Sequence, residues 1–237
     1  MTKPLAVLSV IALGAAGSLA GQAGTWTVAP AVSLIRYDRT SALSSTASGL
    51  STKLWPQASL DATYGVRSNL RVGIYLGASR VTTSPDYFPL VLFRTGSNYE
   101  LWSVQQRVSV FNYGAQVQFD LPVAPAFSPY LRGGVGRHTL YPDVQKQNAV
   151  STVSGSEFML GAGLRYSKGS AALRLEVTDF MWSNFDRDAL NPVTADFQNT
   201  VFPQDNPKGV RWPKPSLTHN LRLALGFAFS PSSGGNQ

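Results

Sequence analysis

Three observations predict an all-β chain that closes into an eight-stranded antiparallel up-and-down transmembrane barrel. Eight strand-sized stretches alternate apolar residues with small or polar ones at a period of two. The connections between them sort strictly into short and long. The polar face also carries a set of charges that the dry core of a soluble barrel could not hold. Alternation alone does not say which face is the core. The other two features turn the barrel inside out, with apolar side chains toward lipid and polar ones toward the lumen.

The first predicted strand, Thr25–Arg36, sets Trp26, Val28, Val32 and Leu34 against Thr27, Ala29, Ala31 and Ser33. The second, Trp55–Tyr64, opposes Ala58, Leu60, Ala62 and Tyr64 to Gln57, Ser59, Asp61 and Thr63. The third begins at Leu70, with Val72, Ile74, Leu76 and Ala78 facing away from Arg71, Gly73, Tyr75 and Gly77. The fourth, Val108–Leu121, is followed by a Pro-bounded turn and a fifth, Pro129–Thr139. The sixth, Glu157–Tyr166, and the seventh, Ala171–Phe180, flank the turn Ser167–Ser170. The eighth, Thr218–Phe229, places Leu221, Leu223, Leu225, Phe227 and Phe229 on one face. Each stretch is close to the roughly nine to eleven residues a tilted spanning strand needs. Long connections at 37–54, 81–107, 140–156 and 181–217 follow the odd strands. They are expected at the cell surface, with both termini in the periplasm.

Residues 1–23 read as an export signal: Lys3, an apolar run Leu5–Leu13, and small residues that allow cleavage after Ala20 or Ala23. That run is too short and too rich in Gly and Ala for a spanning helix. Residues 24–230 then form the barrel and 231–237 a short tail. The 237-residue chain has a formal net charge of +7 and no cysteine. With an export signal, that basicity points to anionic membrane surfaces and not to nucleic acid. The expected location is the bacterial outer membrane.

Inward parity gathers Asp61, Arg71, Arg132, Arg165, Arg174, Glu176 and Arg222. The expected role is a lumen network in which cations and carboxylates satisfy one another, because eight strands leave little room beyond side chains. A narrow, anion-biased pore is the alternative. Pairing across a Ser167–Ser170 turn would set Arg174 opposite Gly163 and Glu176 opposite Gly161. Arg71 and Arg132 are then the nearest cations to Glu176. Inward glycines such as Gly73, Gly77, Gly134, Gly136, Gly161 and Gly163 read as relief of crowding and strand curvature.

On outward parity, Trp26, Tyr64, Phe119, Tyr166, Phe227 and Phe229 fall near the periplasmic ends and form an aromatic girdle. Arg36, Arg80 and Arg107 fall at the extracellular ends, where lipopolysaccharide phosphates would lie. The two histidines point to opposite faces, His138 inward and His219 outward, and no carboxylate is spaced to orient His219. Neither a catalytic residue, nor a metal site, nor a cofactor is expected. Aromatics in the long loops, Tyr87, Phe88, Phe93, Tyr99 and Trp102, and the segment Trp212–Pro215 are expected either to meet a surface ligand, or to pack on one another or join the outer girdle.

The motifs Asn112-Tyr113-Gly114-Ala115, Pro129–Gly136, Gly161-Ala162-Gly163, Arg174–Phe180 and His219-Asn220-Leu221, in this order, give a resemblance to the small eight-stranded outer-membrane barrels of the OmpA-like type. It covers about Thr25 to Phe229. The resemblance implies a closed antiparallel barrel and no single activity. Phe227 and Phe229 resemble the aromatic ending that barrel-assembly machinery reads in this family, although Ser230–Gln237 continues beyond it. No peptidoglycan-binding domain follows, so wall anchoring is not expected. The expected role is non-enzymatic, envelope-structural or through surface loops. A narrow solute pore and a lipid-active enzyme are the alternatives.

Overall fold

The computed structural model of the chain describes residues 23–38, 41, 43, 53–83, 91–95, 98–102, 107–121, 123, 124, 126–143, 152–190 and 215–230. Eight strands form one closed antiparallel barrel. They are β1 (Trp26–Arg36), β2 (Trp55–Arg67), β3 (Leu70–Thr82), β6 (Arg107–Asp120), β7 (Phe127–Pro142), β8 (Val153–Lys168), β9 (Ala171–Ser183) and β10 (Leu217–Phe229). A separate two-stranded hairpin, β4 (Val91–Thr95) with β5 (Asn98–Trp102), lies within the second long connection. The sequence reading missed it. The predicted signal through Gln22 and the tail 231–237 lie outside the described residues, as do Tyr87, Phe88 and Trp212–Lys214.

The wall follows the predicted parity. Val32, Ile74, Leu160 and Leu223 are at least half exposed on the outside, whereas Gln57, Asn112, Gln116 and Thr178 are buried inside. Several strands run further than predicted. β3 continues to Thr82, β7 to Pro142 and β9 to Ser183, and β8 starts at Val153. In these extensions the inner face turns apolar, at Val81, Leu140 and Trp182, so alternation no longer marks the strand.

One register expectation is corrected. The β8–β9 turn is Gly169-Ser170 alone, with Gly169 at φ 63°, so the strands pair two residues further along than a four-residue turn allows. Arg174 therefore opposes Arg165, and Glu176 opposes Gly163.

Strand stagger sets heights on the wall. Stepping through partners from Val28 by way of Ala62, Ile74, Ala115, Val135, Phe158, Met181 and His219 climbs the wall. Continuing the β1–β10 register returns to β1 at Asp38, ten residues above the start. Spread evenly, that is about 1.25 residues per strand, the signature of tilted strands in a closed barrel. Allowing for it, Arg36, Arg80, Arg137, Ser156 and His219 lie within about one residue of a common height.

Candidate functional site

The lumen is organised in three tiers. At the end where β1 begins and β10 stops, Asp120 accepts from Arg71 Nε at 3.1 Å and faces Arg165 Nη2 at 3.3 Å. Gln118 Nε2 donates to the other oxygen of Asp120 at 2.6 Å, and Arg71 Nη1 donates to Thr27 at 2.7 Å. Thr27 in turn shares a hydrogen bond with Ser230 at 2.9 Å, tying the two ends of the barrel together.

The middle tier crosses the lumen. Arg132 Nη1 bridges Asp61 Oδ2 at 2.8 Å and Glu176 Oε2 at 2.9 Å. Arg174 reaches the same two carboxylates at 3.3 and 3.0 Å. Arg222 pairs with Glu176 Oε1 at 2.5 Å, and Thr178 and Tyr130 donate to the same carboxylate. Glu176 thus meets three guanidinium groups. Arg132 is among them, as expected, but Arg71 is not: it is taken by Asp120.

Above these tiers sits Glu157, buried without an ion-pair partner among the described residues. It accepts from three neutral donors: Tyr75 OH at 2.9 Å, Trp182 Nε1 at 2.8 Å, and Asn112 Nδ2. Gln57 Nε2 donates to Asn112 at 3.3 Å. Over this carboxylate the mouth closes with an apolar cluster. Ile35, Val81, Val108, Val110, Leu140 and Trp182 come from the wall, and Tyr37, Leu43, Phe185 and Leu190 from the first and last long connections. His138 is buried here and stacks on Trp182 at 4.4 Å between ring centroids. Tyr37 hydrogen-bonds Ser79 at 2.7 Å, and burial raises its phenol pKa well above the ordinary range, so it stays neutral. Trp55 Nε1 donates to the Leu43 carbonyl at 3.0 Å, fixing the first connection over the mouth.

Side chains therefore fill the lumen among the described residues. A void bordered by Asp61, Arg174, Glu176 and Arg222 measures about 10 Å³, the space of a single water. Some inward glycines provide the room for a definite side chain. A Cβ at Gly136 would fall 2.5 Å from the Tyr75 hydroxyl, and one at Gly163 would fall 2.3 Å from Tyr130.

All seven predicted lumen residues are buried inside the barrel. Asp120 and Glu157, which share the inward parity of Gln118 and Met159, were missed. So were the neutral donors Tyr75, Tyr130 and Asn112 that complete the network.

On the outer wall, Trp26, Tyr64, Phe119, Tyr166 and Phe227 are exposed around the end where β1 begins and β10 stops, with Phe229 partly so. Trp26 and Tyr64 pack at 5.3 Å. Phe127 joins them.

The basic residues are less uniform than expected. Arg36 and Arg80 lie at the common height, but Arg107 stands about four residues above it. Arg80 is paired with Asp143 at 2.5 Å. The expectation for His219 is corrected: Asp179 lies diagonally across β9–β10, at 2.7 Å from Nδ1, a contact that sequence spacing hides. His138 and His219 remain on opposite faces of the wall. Among the described residues, no cluster of three His, Asp or Glu side chains could hold a metal ion.

A closed eight-stranded wall, apolar outside and charged within, defines the class of small outer-membrane-type barrels. No family model matches the chain, and no curated protein matches it. Among solved structures it is similar to the Neisserial surface protein A (NspA), with 10% identity and a TM-score of 0.50 over 86% of this chain and 96% of that one. It also matches OprG of Pseudomonas aeruginosa, at 12% identity and TM-score 0.47 over 89% and 97% of the two chains. The third is Ail, the attachment invasion locus protein of Yersinia pestis, at 10% identity and TM-score 0.45 over 89% and 100%. At these identities the likeness is one of fold.

Proposed function

We propose that the chain is a non-enzymatic barrel of the bacterial outer membrane, exported by its N-terminal signal, whose closed lumen makes it a rigid scaffold for its surface connections. The observation that carries this reading is the filled lumen. Two barriers stand in series: a crossed network of guanidinium and carboxylate groups, and an apolar mouth closed by Tyr37, Leu43, Phe185 and Leu190. An ion would have to displace paired charges that have already lost their water, and then pass a dry constriction. The separation of His138 from His219 by the wall speaks against a hydrolytic centre built on both.

Reconstitution in planar bilayers tests the scaffold reading. The parent protein should give no stepwise conductance above the bare bilayer. Replacing Phe185 and Leu190 by Ala should leave it silent, because the charge network remains beneath. Regular single-channel steps from the parent would favour the pore instead. Membrane fractionation with a heat-shifted gel band checks the location.

A further inference from the structure

We propose that a notch on the outer wall seats the upper end of one acyl chain of a phosphorylated lipid, with the phosphate on Arg80. This rests on the outer-membrane reading. Val32, Ala58, Ala78 and Phe111 are successive partners across β1, β2, β3 and β6, so two small residues lie side by side between two large ones. Directly below, Leu60 and Leu76 pair and close the floor. Pro56, Arg80 and Ser109 stand at the upper end, and the depression measures about 470 Å³.

The charge at its top fits a phosphate. The Arg80 side chain is 61% exposed and is held by Asp143, which takes one terminal nitrogen and leaves the rest of the guanidinium for a second acceptor. Arg107, opposite Thr82 on the neighbouring strand, adds a second cation higher up, so among the described residues the charges at this corner, Arg80, Arg107 and Asp143, sum to a positive one. Height matters as well: Arg80 shares its height with Arg36, Arg137, Ser156 and His219, so a headgroup at Arg80 leaves its chain to descend over Ala78 and Ala58.

The detergent-folded chain, incubated with bis-phosphorylated hexa-acyl lipid A, should retain one lipid in native mass spectrometry. Ala78→Phe, which fills the notch with an apolar group, should weaken retention at least about tenfold, as should Arg80→Gln, which removes a charged hydrogen-bond donor. Leu160→Phe, on β8 at the far side of the barrel, should not. Lipid A stripped of its phosphates should bind more weakly, and free pyrophosphate should not displace the bound lipid. Parent-like retention by Ala78→Phe, equal binding of the stripped lipid, or displacement by pyrophosphate would each overturn the proposal. Insertion into lipid vesicles, read from the heat-shifted band, separates the two failures. Insertion without lipid retention removes the notch alone, whereas failure to insert removes the outer-membrane reading with it.

Discussion

Two buried glutamates show how differently a carboxylate can be held. Glu176 is met by Arg132, Arg174 and Arg222, so removing it strands cations inside the barrel. Breaking a buried ion pair in this way costs about 3–5 kcal/mol. Glu157 is met by neutral donors, and its removal leaves Tyr75, Asn112 and Trp182 short of an acceptor, at about 1–3 kcal/mol. Thermal unfolding of the detergent-folded barrel should therefore show a larger loss for Glu176→Ala than for Glu157→Ala. The order reversed would mean that the lumen is wet enough to screen the arginines. In the near-ultraviolet circular dichroism, the tryptophan band should respond to Glu157→Ala, because Trp182 loses its hydrogen bond, whereas Glu176→Ala should perturb the tyrosine band through Tyr130. Side-chain parity made the seven charges legible from sequence. Of their pairings only Arg132 with Glu176 was, since Asp61 and Arg132 lie on strands that do not pair and meet only across the closed lumen.

At the level of strands, the glycines carry the clearest contrast. An added Cβ at Gly163 meets the Tyr130 ring, whereas at Gly133 the nearest atom is 3.8 Å away. Gly163→Ala should cost about 1–3 kcal/mol by overpacking, and Gly133→Ala should be close to neutral; urea titration of the folded barrel measures both. Strand cores were legible because the two faces differ in polarity along Leu70–Ser79 or Leu221–Phe229. The tops of β3, β7 and β9 were not, because Val81, Leu140 and Trp182 make the inner face there as apolar as the outer. That loss of contrast is the mark of the closed mouth. The β4–β5 hairpin left only a weak trace, the apolar run Val91–Phe93 and the mixed stretch Tyr99–Trp102 on either side of Gly96-Ser97. The β8–β9 register failed for a smaller reason: Lys168 and Ser167 read as turn residues but belong to the strand.

For the molecule as a whole, the inside-out wall makes a directional prediction. Ile74→Arg, on the outer face, should hinder insertion into lipid vesicles by about 2–4 kcal/mol if it lies near the midplane, and Gln116→Arg, on the inner face, should be milder. A heat-shifted gel band after folding into vesicles reads the difference; equal effects would contradict the orientation of the wall. The crossed network has a further consequence for how such a wall can come apart. Some of its ties run between strands that do not pair, joining Asp61 of β2 to Arg132 of β7 and Arg174 of β9, while Thr27 of β1 meets Ser230 just past β10. Opening the seam between β1 and β10 would part the Thr27–Ser230 contact, and drawing β2 away would take Asp61 from both arginines at once. A barrel braced by spokes as well as by its rim has no stable half-open form, so it should be lost in a single step, whichever strand lets go first.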